Sequence, residues 1–160
     1  MHDADQKKLT IRAALPSEAR ALSDLALRSK AHWGYSREFI EACREELTYT
    51  PHQIGSSQMK FFVLHDDAPI GFYALRNVGK REIELDALFV EPREIGKGYG
   101  RRLIEHAKAM ASSLGAKLMI IQGDPNAERF YLAAGGVLTG TRESDSIPGR
   151  FLPTFAITLR

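Results

Sequence analysis

The sequence predicts an α/β fold, in which one domain contains a mixed, mostly antiparallel central sheet with flanking helices. Short segments alternate apolar and polar residues, as strands do, and others repeat apolar residues at helical spacing. A helical segment also separates two strands in the middle of the chain, which requires those strands to be parallel. The 160 residues, 44% of them apolar, suit one domain. We expect it to span residues 9–160, after a flexible N-terminal tail of residues 1–8.

The first third of the chain predicts one strand and two helices. Residues 9–14 form a short strand, and Pro16 then begins a helix. The apolar stripe of this helix consists of Leu22, Leu25 and Ala26. Ser36 is placed to cap the second helix, and Cys43 lies on that helix's apolar face. No charge pattern activates this cysteine, so we expect a small buried hydrophobic residue rather than a nucleophile.

Three strands are predicted in the middle of the chain. Residues 60–65 and 70–76 form two of them, and the turn at residues 77–80 leads into the third at residues 82–90. Short turns make this an antiparallel meander. Pro92 ends the third strand.

The second half of the chain predicts a helix that ends at Gly115 and an apolar strand at residues 116–122. Asp124 is placed to cap a further helix, and residues 137–141 and 150–159 form the last two strands. The complete predicted order is β-α-α-β-β-β-α-β-α-β-β.

Composition excludes several functional classes. The formal charge is +2, with 22 basic and 20 acidic residues, so no strong field favours nucleic acid or a membrane surface. The single cysteine excludes an internal disulfide, and no metal-ligand spacing is present, so we expect no metal. Residues 1–8 contain no apolar signal core, and no apolar run has the length of a membrane span. These observations predict a soluble cytoplasmic protein.

A glycine-rich loop joins the third strand of the meander to the next helix. Gly96, Gly98 and Gly100 remove side chains that would keep a ligand away, and the backbone N–H groups at the start of a helix lack helical partners. Lys97 and Arg101 add positive charge. The loop therefore predicts a phosphate site. A Rossmann fingerprint is excluded because Arg101 replaces its third glycine, and no Gly-Lys-Ser/Thr of a Walker loop follows.

The segment from Ile95 to Gly100 resembles the pyrophosphate loop of the GNAT acyl-CoA N-acyltransferase superfamily, Gln/Arg-x-x-Gly-x-Gly/Ala. Ile95 departs from the pattern at its first position, which removes one polar side chain. The backbone N–H groups that would bind phosphate are unaffected.

Residues 124–136 resemble the second signature of the same superfamily, Asn-x-x-Ala-x-x-Phe-Tyr-x-x-x-Gly-Phe. The matching residues are Ala127, Phe130, Tyr131 and Gly135. Asp124 stands in place of the asparagine and Gly136 in place of the last aromatic residue. The two motifs occur in the family's order, and the predicted elements also follow that order.

The resemblance implies that acetyl-CoA, or another acyl-CoA, is the acyl donor. Its pyrophosphate would lie on residues 96–100, and its pantetheine arm would pair with the strand before the loop, where a backbone N–H would polarise the thioester carbonyl. The residues that this expectation assigns to the cofactor are Leu88, Phe89, Val90, Ile95, Gly96, Lys97, Gly98, Tyr99, Gly100, Arg101, Asp124, Ala127 and Phe130.

The resemblance further implies direct attack of a substrate amine on the thioester, without a covalent enzyme intermediate. Tyr131 occupies the family's general-acid position. Glu84 is the candidate general base because it lies on the strand before the loop, and Asp86, two residues further on, is an alternative that could act through water.

The substrate pocket is less well specified by the sequence. Candidate residues for its rim are His32, Trp33, Tyr35 and Arg150, the last of which could hold a carboxylate. The predicted partners are acetyl-CoA and an amine of a small molecule or a protein, and a homodimer is expected because family members often dimerise. A non-catalytic acyl-CoA-binding sensor is the alternative, in which Tyr131 would be dispensable.

Overall fold

The computed structural model describes residues 9–160, which form seven strands and five helices. The expected tail at residues 1–8 lies outside the described residues. The elements are β1 (Thr10–Ala13), α1 (Ala19–Ala31), α2 (Arg37–Cys43), α3 (Pro51–Ile54), β2 (Met59–His65), β3 (Pro69–Gly79), β4 (Glu82–Val90), α4 (Tyr99–Ser113), β5 (Leu118–Gln122), α5 (Glu128–Ala133), β6 (Val137–Glu143) and β7 (Phe151–Thr158). Short 3-10 turns precede α1, α4 and α5.

The seven strands form one sheet in the order β1-β2-β3-β4-β5-β7-β6. All neighbouring strands are antiparallel except β4 and β5, which the α4 crossover makes parallel. The predicted mixed, mostly antiparallel sheet with flanking helices is therefore confirmed. The last strand, β7, inserts between β5 and β6, so β6 is the edge of the sheet.

The short helix α3 was not predicted. Its start is a capping box, in which the Thr50 hydroxyl accepts a hydrogen bond from the Gln53 N–H and the Gln53 side chain accepts one from the Thr50 N–H. Pro51 occupies the first helical position, where its missing N–H costs nothing. Further along, β3 continues three residues beyond the predicted end because it pairs with β4 as far as Gly79.

Hydrophobic side chains cover both faces of the sheet. On one face α4 contributes Leu103 and Ile104, which pack with strand residues such as Phe155. On the other face α1 and the chain after it pack over β2, β3 and β4. The predicted stripe of α1 is confirmed, since Leu22, Leu25 and Ala26 are at most 1% exposed. Cys43 is also buried, and burial raises the pKa of its thiol.

The sheet opens between β4 and β5. The two strands pair through four residue pairs, from Glu82–Leu118 to Leu85–Ile121, and β5 then continues with β7 as its only neighbour among the described strands. In β4 the register with β3 skips Asp86, which forms a β-bulge. Beyond this bulge, no described strand pairs with the edge of β4 that faces β5.

Candidate active site

A cavity of about 710 Å³ lies along the open edge of β4. It is lined by β4, by the glycine loop and the start of α4, by the segment around α5, and by parts of α1 and α2. Every residue that the sequence analysis assigned to the cofactor lines this cavity except Lys97. The Lys97 side chain is exposed, and its ammonium pairs with Glu94 at 2.7 Å.

The glycine loop adopts a conformation that requires glycine at two positions. Gly96 has φ +92° and Gly98 has φ +85°, and a Cβ at either position would meet open space. No hydrogen bond within residues 9–160 uses the backbone N–H groups of residues 96–101, and Arg102 is the first residue of this segment whose N–H has an acceptor. The loop thus presents free donors at the positive end of the α4 dipole.

The third glycine of the loop has a packing role. A Cβ on Gly100 would lie 3.2 Å from the Phe130 ring, so α4 can approach this ring closely only because residue 100 has no side chain. The Phe130 ring lies edge-on to Tyr131, with centroids 5.1 Å apart. The loop motif and the second motif therefore meet across the cavity, although about 30 residues separate them in the sequence.

Tyr131 places a buried hydroxyl in the cavity wall. Its side chain packs against Phe155, with centroids 5.6 Å apart, and the residue is 7% exposed. No hydrogen-bond partner for the hydroxyl exists among the residues that the structure describes. Burial raises the pKa of Tyr131, and the negative charge of Asp124 adds to this effect, so the hydroxyl stays protonated at neutral pH. A buried donor of this kind is usually satisfied by a ligand or by water.

Glu84 lines the same cavity, but its carboxylate is fully engaged. One oxygen accepts a hydrogen bond from Arg76 at 2.6 Å and the other accepts one from Arg142 at 2.7 Å. The residue is 5% exposed. The geometry gives Glu84 a structural part in the site, because its carboxylate ties β4 to β3 and to β6.

The Asp86 carboxylate is held less tightly by ion pairs than the Glu84 carboxylate. It lines the cavity from the bulge in β4, and its nearest cation is the Arg76 guanidinium, 3.6 Å away. Burial raises the pKa of Asp86; Arg76 opposes that effect, whereas the charge of Glu84 adds to it. A carboxylate with a raised pKa is a better proton acceptor near neutral pH.

Asp124 is the centre of a polar cluster, the Asp124 cluster, formed with Lys30, Tyr35, Asn126 and Arg150. The Lys30 ammonium lies 2.5 Å from the carboxylate, the Tyr35 hydroxyl donates to it at 2.8 Å, and the Asn126 N–H donates at 2.8 Å. Arg150 lies 3.7 Å away and donates to the Tyr35 hydroxyl at 2.9 Å. Burial acts to raise the pKa of Asp124, but the hydrogen bond and charge of Lys30 outweigh it, and the pKa is lowered.

The Asp124 cluster changes the interpretation of the predicted rim. Arg150 lines the cavity, but its guanidinium already faces a carboxylate of the protein. Tyr35 lies behind the lining, stacked on Phe39 at 4.1 Å. Trp33 lines the cavity and is 46% exposed, whereas His32 packs on Trp33 outside the lining.

Several lining residues were missed in the sequence. Lys30, Glu46 and Tyr49 also line the cavity. None belongs to a motif or to a distinct periodic stripe, so only the packing of α1 and α2 on the sheet brings them to the site. Among residues 9–160 there is no group of three His, Cys, Asp or Glu side chains that could hold a metal ion. No described helix is long and apolar enough to cross a membrane.

Comparison with known proteins gives a family match. The model of the acetyltransferase (GNAT) family matches residues 25–135. The peptidyl-lysine N-acetyltransferase YjaB of Escherichia coli is 36% identical over 81 residues, which are 51% of this chain and 50% of the relative. The protein of the same name from Salmonella typhimurium is 33% identical over 85 residues, or 53% and 54% of the two chains. The matched part thus spans about half the length of these curated relatives.

Solved structures show the same fold. A GCN5-related N-acetyltransferase from Rhodopseudomonas palustris superimposes with a TM-score of 0.77 at 22% identity, over 96% of this chain and 98% of the other. PaiA N-acetyltransferase from Thermoplasma acidophilum, solved in complex with coenzyme A, superimposes with a TM-score of 0.77 at 20% identity, over 94% and 99%.

Proposed function

The chain belongs to the acetyltransferase (GNAT) family, and from this we propose that it is an acetyl-CoA-dependent N-acetyltransferase. It would move the acetyl group to a primary amine of a small molecule or a protein by direct attack of the amine on the thioester. One observation carries the proposal: free N–H groups of the glycine loop, an unpaired strand edge and an unpaired buried hydroxyl adjoin a single cavity.

The donor fits the loop half of the cavity. The N–H groups of residues 96–101 and the side chain of Arg101 would hold the two phosphates, and the open space over Gly96 and Gly98 leaves room for them. The free edge at Leu88–Val90 would pair with the pantetheine amides in the manner of an added strand. Bound acetyl-CoA supplies an acetyl group that is already activated as a thioester.

Removal of a proton from the amine is the first requirement of the reaction. An amine with a lysine-like pKa near 10.4 is uncharged in only about one molecule in a thousand at pH 7, which costs roughly 4 kcal/mol. We propose that Asp86 accepts this proton, directly or through water, because its pKa is raised and it faces the cavity. Glu84, the base favoured by the sequence, would act mainly by positioning, since arginines hold both of its oxygens.

Tyr131 would act on the departing thiolate. In water, proton transfer from a tyrosine with pKa near 10 to a thiolate with pKa about 8.5 is uphill by roughly 2 kcal/mol. Burial raises the pKa of Tyr131 and makes full transfer still less favourable. The hydroxyl would therefore act chiefly by donating a hydrogen bond that stabilises the developing negative charge.

A lysine side chain of a protein is one acceptor consistent with this proposal, because the two curated relatives are named peptidyl-lysine N-acetyltransferases. We further propose that the protein acts in the cytoplasm as a homodimer, without nucleic acid or a membrane as partner. The near-neutral charge supports the last point.

Release of free CoA thiol tests the proposal. The purified protein is incubated with acetyl-CoA and a panel of amines, lysine peptides and aminoglycosides, and calorimetry measures acetyl-CoA binding separately. Thiol release that depends on an amine and on Tyr131 supports an enzyme. Tight acetyl-CoA binding without thiol release for any amine would instead support the acyl-CoA sensor.

A further inference from the structure

A second buried tyrosine, Tyr49, lines the part of the cavity near the Asp86 bulge of β4, which we call the acceptor end. Tyr49 is 7% exposed and lines the cavity. Its ring packs edge-on against Phe61 and Phe72, at centroid distances of 5.4 and 5.6 Å, and its backbone is held by Ser23. Within residues 9–160 the hydroxyl has no hydrogen-bond partner. An unsatisfied buried hydroxyl costs roughly 1–3 kcal/mol, so a group that enters the cavity is expected to satisfy it.

The neighbours of this hydroxyl are carboxylates. Asp86 and Glu46 line the same end of the cavity. Burial raises the pKa of Tyr49, and the negative charges of Asp86 and Glu46 add to this effect. The Glu46 carboxylate accepts a hydrogen bond from Ser146 at 2.5 Å, and Asp145 is a further lining carboxylate. These groups accept hydrogen bonds, so they favour a ligand that donates several.

The cations at this end are already paired. Arg76 and Arg142 both bind Glu84, and Arg150 donates to Tyr35. Lys30 binds Asp124. The described lining of the whole cavity contains six carboxylates (Glu46, Glu84, Asp86, Glu94, Asp124 and Asp145) and five cationic side chains (Lys30, Arg76, Arg101, Arg142 and Arg150). Within residues 9–160 the lining therefore has an excess of negative charge and, apart from Arg101 of the glycine loop, no unpaired cation for an acceptor's carboxylate.

We propose that Tyr49, Asp86 and Glu46 form a subsite that binds the acceptor as an alkylammonium ion before it is deprotonated. The Tyr49 oxygen accepts one N–H of the ammonium group, and the two carboxylates accept the others. The acceptor class is then a cationic primary alkylamine, such as a lysine-like side chain, without a carboxylate near the reacting end. This inference rests on the proposed function and assigns Tyr49 and Glu46 to acceptor binding rather than to chemistry.

Steady-state kinetics with pentylamine and 6-aminohexanoate tests the subsite. The two amines have similar length, but the second ends in a carboxylate. In Tyr49→Phe we expect the KM for pentylamine to rise about 10-fold with kcat changed less than about 2-fold, as for a lost hydrogen bond to a charged group. Glu46→Gln should raise KM about 5-fold and narrow the preference for pentylamine over 6-aminohexanoate. Glu45→Gln, the same change in an exposed residue outside the lining, is the matched control.

The outcomes separate the subsite from the proposed function. If the wild type acetylates amines but Tyr49→Phe and Glu46→Gln match the Glu45→Gln control, the subsite is wrong and the acetyltransferase stands. If no amine is acetylated, the proposed function fails, and calorimetry of pentylamine with the CoA-saturated protein decides the subsite alone. Pentylamine binding that is weaker in both Tyr49→Phe and Glu46→Gln than in the wild type supports the subsite. Absence of pentylamine binding to the wild type overturns the subsite. Glu46 is exposed, so its variant folds even if Tyr49→Phe does not.

Discussion

The Lys30 ammonium lies 2.5 Å from the Asp124 carboxylate and joins the end of α1 to the turn that precedes α5. Both side chains are 15% exposed, so water screens the pair only partly. Tyr131 lies on α5. The Lys30–Asp124 pair therefore connects α1 to the helix that carries the residue proposed to stabilise the leaving group. The asparagine usual at this position in the second motif could not supply the same charge.

Asp124→Asn should destabilise the protein by about 1–3 kcal/mol at pH 7, because it removes the charge that Lys30 and Arg150 face. The pKa of Asp124 is lowered in the folded state, so its contribution is present above the unfolded pKa and is lost as pH falls through the folded one. The difference from wild type should therefore shrink below about pH 4. Urea unfolding at pH 7 and pH 3 measures it. Asp24→Asn, an exposed control, should change stability by less than about 0.5 kcal/mol.

Gly98→Glu should weaken acetyl-CoA binding by at least about 100-fold, roughly 2.7 kcal/mol, because the new side chain and its charge would occupy the phosphate site. Gly115→Glu is the matched control. Gly115 has φ +91° and open space for a side chain, so the backbone strain is similar, but it lies at the far end of α4. Calorimetry should show near wild-type affinity for the control. Equal acetyl-CoA affinities in the two variants would show that the phosphates do not bind at the glycine loop.

Tyr131→Phe should lower kcat about 100-fold and leave acetyl-CoA affinity nearly unchanged, because the hydroxyl would bind charge that appears only during the reaction. The variant should remain stable, since this buried hydroxyl has no partner within the described residues. Tyr73→Phe is the converse control. Its hydroxyl bonds His106 of α4 at 2.7 Å and neither residue lines the cavity, so stability should fall while kcat is retained. Thiol release and thermal unfolding measure both quantities, and an unchanged kcat in Tyr131→Phe would remove this residue from the mechanism.

Asp86→Asn should slow turnover about 100-fold at pH 7, and the loss should diminish as pH approaches 10, where the amine is already uncharged. The raised pKa of Asp86 gives the sign in wild type: the base is active above this pKa, so the rate falls as pH decreases through it. The groups that face Asp86 are Arg76, Glu84, Glu46 and Asp145.

Glu84→Gln distinguishes the two candidate bases. It should destabilise the protein by about 2–4 kcal/mol, because two arginines lose their charged partner, while the pH dependence of kcat keeps its wild-type form. Urea unfolding and pH–rate profiles test this. A flattened acid limb in Glu84→Gln, with a normal one in Asp86→Asn, would return the role of base to Glu84.

The parts of the fold with strong local signals were predictable from the sequence. The bounds of β4 were predicted at Glu82–Val90, because alternation and Pro92 mark both ends. The helix α3 was not predicted, although it has its own local signal, the capping box at Thr50 and Gln53. The bulge at Asp86 has no local signal, because it arises from the register between two strands.

The candidate site also contains residues that local sequence motifs could predict and residues that they could not. The loop and Tyr131 belong to contiguous motifs, and both line one cavity in the structure. The partners of Glu84, Asp124 and Arg150 come from segments up to 115 residues away in the chain, so their ion pairs could not be predicted from spacing. Tyr49 belongs to no motif, and only the cavity beside it gives its hydroxyl a proposed role.

The short contact between β4 and β5 has a consequence for how the protein tolerates mutation. Four residue pairs hold β5, β7 and β6 to the rest of the sheet, and the gap between β4 and β5 that we propose for the thioester begins where these pairs end. Substitutions at residues 82–85 or 118–121 should therefore damage folding and turnover together. Sequence variation that broadens donor or acceptor range is expected to accumulate elsewhere, in the segments that form the walls of the gap rather than along its base.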